Sequence, residues 1–173
     1  MNDFLRVELN PTKDVHGDLL LSIPSIGVEC LADSYFLIGE KYLQTNKEGY
    51  EKIAEVLIHI LLGWKSKIEA LKNQSTYFLP FDFSDEYIGC LRLLLIEKDT
   101  LNLHYGFSQK IPGFGINPSD VESFDMEDSD FIKDNEVGEI TVDKVTLLNS
   151  IDVSIRNVKL NFLHDIEKKQ HGF

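Results

Sequence analysis

The sequence predicts an α+β fold: an antiparallel sheet covered by a long amphipathic helix over about 47–72 and a C-terminal helix over about 143–167. Three observations carry this. Stretches of alternating or β-rich residues occupy much of 4–31 and 76–107. From Lys47 the apolar residues recur at threes and fours instead, the spacing of one helical face. The same spacing returns after Asp143. A sheet must bury one face, and two amphipathic helices are the available covers. At 173 residues the chain is long enough for a sizeable core and short for two domains, so a single α+β domain over 1–173 is expected.

The elements follow in order. Residues 4–9 and 19–23 read as two strands joined across Asn10-Pro11 and a polar turn, plausible as a hairpin. Residues 26–31 suit a third strand. The stretch from Asp33 to Tyr42 is ambiguous between a strand through Tyr35–Gly39 and a short helix capped by Asp33 or Ser34. Tyr50, Ile53, Ala54, Leu57, Leu61, Trp64, Ile68 and Leu71 then share one helical face, and Val56, Ile60 and Leu62 widen it. Lys65 and Lys67 fall among the residues assigned to the wet side, and His59 reads as a packed core residue. Gly63 is a mild interior defect of roughly 1 kcal/mol relative to Ala. Residues 76–83 form an aromatic strand that Pro80 disfavours as a central one. A strand over 87–97 turns at Lys98-Asp99 and returns over 100–107, where Leu101, Leu103 and Tyr105 alternate with Asn102 and His104. That alternation predicts one wet face, with His104 on it. Residues 139–142 are a short strand, and Asp143 is a helix N-cap. Val145, Leu148, Ile151, Ile155, Val158, Phe162 and Ile166 place the last helix, although its β-branched content allows a rival strand over 150–162.

Residues 108–138 show no periodicity, and a connection this long inside a domain is commonly functional or mobile. Its second part, Pro118 to Glu136, is the most informative stretch of the chain. It carries Asp120, Glu122, Asp125, Glu127, Asp128, Asp130, Asp134 and Glu136 against the single base Lys133, so seven of the twelve excess negative charges fall in nineteen residues. Self-repulsion makes so dense a cluster costly, and that calls for a reason.

The charge also excludes partners. A pI near 4.7 disfavours nucleic acid, whose binding draws on Lys and Arg. The most apolar stretch, 56–64, is about half a membrane span and contains His59, so no membrane partner is expected. No basic segment followed by an apolar run opens the chain, and a cytoplasmic location is expected. Cys30 and Cys90 lie sixty apart with no CxxC, which suits two reduced thiols, while an even pair leaves a disulfide open. No phosphate-binding glycine loop, nucleophile elbow or HExxH is present, and no cofactor is implied. Residues 125–136 graze a calcium-loop pattern, yet Asp130 stands where the sharp turn needs glycine and Lys133 fills a ligand position, so no metal is expected.

Two readings of the acidic run stand side by side. In one it docks a cationic protein, with Asp120, Glu122, Asp125, Glu127, Asp128 and Asp130 supplying charge and Phe124 and Phe131 supplying anchors. In the other it is a solvated loop that Phe124 and Phe131 pin to the core. A second constellation, Asp82, Asp85 and Glu86, allows a small hydrolase or ligand-binding domain, although Ser, Asp and Glu beside a hairpin are ordinary turn chemistry. That alternative requires a pocket lined by these groups and a carboxylate with a raised pKa; a flat surface would discard it.

The block Tyr77-Phe-Leu-Pro-Phe-Asp-Phe-Ser-Asp-Glu-Tyr-Ile-Gly89, with the strand through Arg92 and the Tyr105-Gly106 close, resembles small acidic bacterial immunity proteins. These are the antidotes paired with contact-dependent or polymorphic toxins. The resemblance covers about a third of the chain and brings no catalytic residues with it. It implies a non-enzymatic cytoplasmic inhibitor that covers the active site of a cognate toxin. The acidic surface suits a basic toxin domain, because carboxylates can imitate the phosphates that a nuclease binds.

Overall fold

A computed structural model describes residues 4–13, 15–39, 43–72 and 74–163, and it is α+β with antiparallel sheets. The strands form two sheets rather than one. In the first, β1 (Arg6–Leu9), β2 (Leu19–Ile23) and β3 (Val28–Ala32) lie in the order β1-β2-β3, with Val7 opposite Leu21 and Leu21 opposite Cys30. Every residue of β2 is buried, as its central place requires. Pro24–Ile26 forms a 3-10 turn that Gly27 ends at φ 76°, a left-handed conformation suited to glycine.

The second sheet is built on β4 (Thr76–Phe83), β5 (Ile88–Glu97) and β6 (Thr100–Ser108). Pro80 is accommodated because β4 is an edge strand, paired among the described residues only with β5, and the register shifts just after it. The far side of β6 is shared along its length. β7 (Ile132–Lys133) pairs with Gly106 and Phe107, and β8 (Glu139–Asp143) pairs with Thr100–His104.

The ambiguous stretch after β3 is a short helix, α1 (Tyr35–Ile38). The long helix α2 (Gly49–Glu69) follows the three-and-four spacing and joins both sheets through one buried cluster that includes Leu21, Leu57, Trp64, Phe81 and Leu91. Trp64 Nε1 donates to the Pro80 carbonyl at 3.1 Å, fixing α2 on β4. Two expectations for α2 are corrected: His59 is exposed rather than in the core, and so is Leu62. Both belong to the stripe of α2 that leaves the sheets and faces the acidic segment.

Asp143 caps α3 (Lys144–Phe162), accepting the Thr146 N–H at 2.8 Å. The rival strand over 150–162 does not form. Burial of Leu147, Ile151, Ile155 and Val158 on one helical face outweighs the β-branched propensity of the last three. Ser154 of this face accepts the Val7 N–H at 3.0 Å, which seats α3 on β1. The last expected turn, to Glu167, and the tail 168–173 lie outside the described residues. Among the described residues no helix is long and apolar enough to cross a membrane.

Candidate functional site

The stretch without periodicity is a built surface. From Pro118 it makes a 3-10 turn over Pro118–Asp120, capped by Asn117, whose side chain accepts the Ser119 N–H at 2.9 Å. Val121, 1% exposed, then drops onto α2 at Gly63, where an added Cβ would come 2.5 Å from Val121 Cγ2. The glycine read as a helix defect is therefore the seat of the acidic segment. Phe124 is buried too, and its carbonyl accepts from the Lys67 ammonium. The same ammonium donates to the Phe78 carbonyl at 3.2 Å and lies 5.5 Å from the Phe124 ring centroid.

Lys67 is thus a buried cation, only 7% exposed, that joins α2, β4 and the acidic segment. Burial holds its pKa below the usual lysine value, while Asp125 and Glu122 oppose that shift. The reading that put Lys67 on the wet side is corrected. It follows Trp64 by three and Ile60 by seven, so the helical period itself placed it on the apolar stripe; only its charge argued otherwise.

The rest of the segment lies across the outer face of β6. Phe131 packs against Phe78 at 5.6 Å and edge-on to His104 at 6.4 Å between ring centroids. Gly106 permits the crossing, because a Cβ there would strike the Ile132 carbonyl and the Phe131 ring. His104 consequently lies buried, 5% exposed, with its Nδ1 3.9 Å from a Glu139 carboxylate oxygen. This corrects its assignment to a wet face. Burial, first, and the Lys133 charge hold its pKa low.

The eight carboxylates therefore divide by environment. Asp128 is gripped by Arg92, with Nε at 2.5 Å and Nη2 at 3.0 Å from its two oxygens, and these bonds hold its pKa below the usual carboxylate range. Asp130 pairs with Lys110, and Lys133 is taken by Glu139 at 3.2 Å. Asp120, Glu122, Asp125 and Glu127 are exposed and make no salt bridge among the described residues. Phe124 and Phe131 point inward, in the pinning role. The large apolar side chain of the run that faces out is Ile132, 44% exposed.

A second feature lies where the two sheets approach, between the β3–α1 junction and the β4–β5 turn. A cleft of about 580 Å³ is lined there by Asp33, Tyr35, Asp82, Asp85, Glu86 and Tyr87, among others. Ser84 accepts the Glu86 N–H at 3.4 Å, the turn chemistry expected of it. Asp82 is 8% exposed and accepts the Tyr87 hydroxyl at 2.8 Å. Burial raises its pKa, the Tyr87 bond lowers it and the Asp33 charge raises it, with a net upward shift. Asp33 behaves oppositely. Burial opposes ionisation, but bonds from His16 at 2.7 Å and the Gly17 N–H at 2.7 Å hold its pKa below the usual value. The pocket and the raised carboxylate that the Asp82–Glu86 alternative required are both present.

Behind the cleft both cysteines are free thiols. Cys90 is buried, and Cys30 accepts the Tyr105 hydroxyl at 3.0 Å. Burial pushes the Cys30 thiol up to about 12, so it stays protonated and a poor nucleophile near neutral pH. Among the described residues no group of three or more His, Cys, Asp or Glu is placed to hold a metal ion.

No family model matches the chain, and no curated protein matches it. Among solved structures it is similar to a chain of the CdiA-CT/CdiI toxin and immunity complex from Enterobacter cloacae. The match covers 82% of this chain and 86% of that one, at 15% identity and a TM-score of 0.39. A likeness at that level assigns the chain to no family, and the functional reading rests on the site.

Proposed function

We propose that this protein is a non-enzymatic cytoplasmic binding protein of the immunity type, which captures a basic bacterial toxin domain and covers its active site. The observation that carries this reading is the division of charge in the acidic segment. Asp128 and Asp130 are spent on Arg92 and Lys110, while Asp120, Glu122, Asp125 and Glu127 face outward without an ion pair among the described residues. They stand on backbone already fixed by Val121, Phe124 and Lys67, so a partner would not have to order the segment on binding. Unpaired carboxylates on a rigid surface attract a cationic partner from a distance and fix its orientation. The resemblance of the 77–89 block to immunity proteins supplies the kind of partner.

The test is replacement of Asp120, Glu122, Asp125 and Glu127 by Lys, leaving Asp128 and Asp130 in their ion pairs. Wild-type protein is expected to retain a basic partner from host lysate at low salt and to lose much of it at high salt. The four-fold variant is expected to lose the partner at either salt while remaining folded, with a thermal midpoint lowered because Asp125 and Glu122 no longer support the buried Lys67 ammonium. Expression of the partner's gene in a test bacterium, with and without this protein, then reads protection directly. A folded variant that captures and protects as well as wild type would overturn the proposal.

The cleft at Asp82 favours a second reading, a site for a small ligand. Of the two chemistries that alternative allowed, the geometry supports binding over hydrolysis. Asp85 and Glu86 lie on the solvent-facing turn, whereas Asp82 is held from behind by a tyrosine hydroxyl.

A further inference from the structure

The Asp82 cleft does not stand alone. A second hollow of about 600 Å³ adjoins it and shares Tyr35, Phe36 and Asp85 with it. Its own walls include Ile38, Phe114 and Ile116, and it ends at Asn117 and Pro118, where the acidic segment begins. Tyr35 is 57% and Phe114 65% exposed, so two large aromatic faces lie open to solvent along this groove. Exposed apolar surface concentrated in a groove and rimmed by charge marks a contact site rather than ordinary surface.

Charge decides what the groove takes. Asp33, Asp82, Asp85 and Glu86 line the first cleft, and no Lys or Arg is among the described residues that line either hollow. Among the described residues His16 is the one basic side chain at the wall, and it is bonded to Asp33. Asp82 gives one carboxylate oxygen, Oδ2, to Tyr87; the other, Oδ1, takes no hydrogen bond among the described residues although the residue is more than nine-tenths buried. A carboxylate oxygen free of protein partners and open to a cleft is a ready acceptor for a charge-assisted hydrogen bond from a cationic donor. The aromatic walls narrow the choice of cation. A planar guanidinium stacks on Tyr and Phe rings and forks onto carboxylates, whereas an ammonium is a hydrated point charge.

We propose that this groove receives an arginine side chain of the partner, with its guanidinium at Asp82 and Asp85 and the apolar residues beside it lying on Tyr35, Ile38 and Phe114. This rests on the reading of the protein as a binder of a basic protein, and it names the contact that reading lacked. The outward carboxylates of 120–127 steer the partner, and the groove, continuous with them at Pro118, holds it.

The probe is acetyl-arginyl-phenylalanine amide, titrated to ~10 mM into the isotopically labelled full chain and followed by amide NMR. The control is the same peptide with citrulline, which keeps the shape and removes the charge. The expected result is saturable shifts at residues 33–38, 82–87 and 113–117 with the arginine peptide and at least about ten-fold weaker binding with citrulline. Asp82→Asn, which keeps the size and still accepts the Tyr87 hydroxyl, should weaken the arginine peptide by about ten-fold. Asp85→Lys, on the exposed turn, should do the same without touching the interior. Shifts that are absent, that map elsewhere, or that are equal for the two peptides overturn the assignment. The two proposals fail separately. A partner captured from lysate by a chain that ignores the peptide removes only the groove; a bound peptide with no captured partner removes the toxin-binding reading and leaves a guanidinium site.

Discussion

Gly63 lies in the middle of α2 and Val121 lies on top of it, so the way the acidic segment is fastened can be measured by a double-mutant cycle. Gly63→Ala gains about 1 kcal/mol of helix propensity. It also places a Cβ 2.5 Å from Cγ2 of Val121, a stiff side chain only 1% exposed, and overpacking of this kind costs about 1–3 kcal/mol. The net expected change is a loss of about 1 kcal/mol. Val121→Ala removes two buried methyl carbons at about 0.8 kcal/mol each and leaves a small cavity, for a loss of about 2 kcal/mol. In the double variant the new Cβ enters the space the valine methyls vacated and the propensity gain survives. The expected loss is then about 1 kcal/mol rather than the 3 or so that independent effects would give. Urea unfolding of the four proteins reads the coupling from midpoints at constant slope. Additivity within about 0.5 kcal/mol would show that Val121 does not rest on Gly63, and the account of a pinned acidic segment would fall with it.

Two further predictions concern protons. Asp82 has a raised folded-state pKa, so the folded protein holds that proton more tightly than the unfolded chain, and stability declines as pH rises from about 3.9 through the folded value. Asp82→Asn should therefore raise the thermal midpoint at pH 7, with the advantage fading below about pH 4; an unchanged or lower midpoint at pH 7 would contradict it. Asp128 is the reverse case: the Arg92 bonds depress its pKa, so its contribution to stability is present above about pH 3.9 and is lost as pH falls through the lower folded value. Its carboxyl carbon should titrate below the usual aspartate range and return to it in Arg92→Gln, and a midpoint indifferent to that change would mean the ion pair does not persist in solution.

What could be read in the chain beforehand depended on how local its cause was. The helix α2 was legible because one face of it meets the core over many turns, and Asp143 because a cap is completed within three residues. The first hairpin was legible for the same reason: Leu9 and Leu19 face each other across one polar turn. The errors cluster where a distant, non-periodic segment supplies the environment. Alternation along β6 correctly sends His104 to the face opposite Leu103, but whether that face is wet depends on Phe131 lying over it. The same segment turned Gly63 from a defect into a seat and drew Lys67 inward to two carbonyls.

The candidate sites show the same divide. The density of carboxylates over 118–136 was plain in the sequence, and so was the option that Phe124 and Phe131 serve the core. Which acids remain unpaired was not, because Arg92 and Lys110 reach Asp128 and Asp130 only after β5, β6 and the segment are stacked. Nor was the groove: Asp33 follows β3 of the first sheet while Asp82 lies in β4 of the second, and nothing along the chain brings the β3–α1 junction beside the β4–β5 turn. The sequence by itself determined the α+β class, the helix periods, the Asp143 cap and the acidic excess, since each follows from spacing or composition within a few turns of chain. The tertiary structure alone decided how the strands divide into two sheets, which charges are neutralised and where a concave surface opens, since those depend on contacts between segments far apart in the chain.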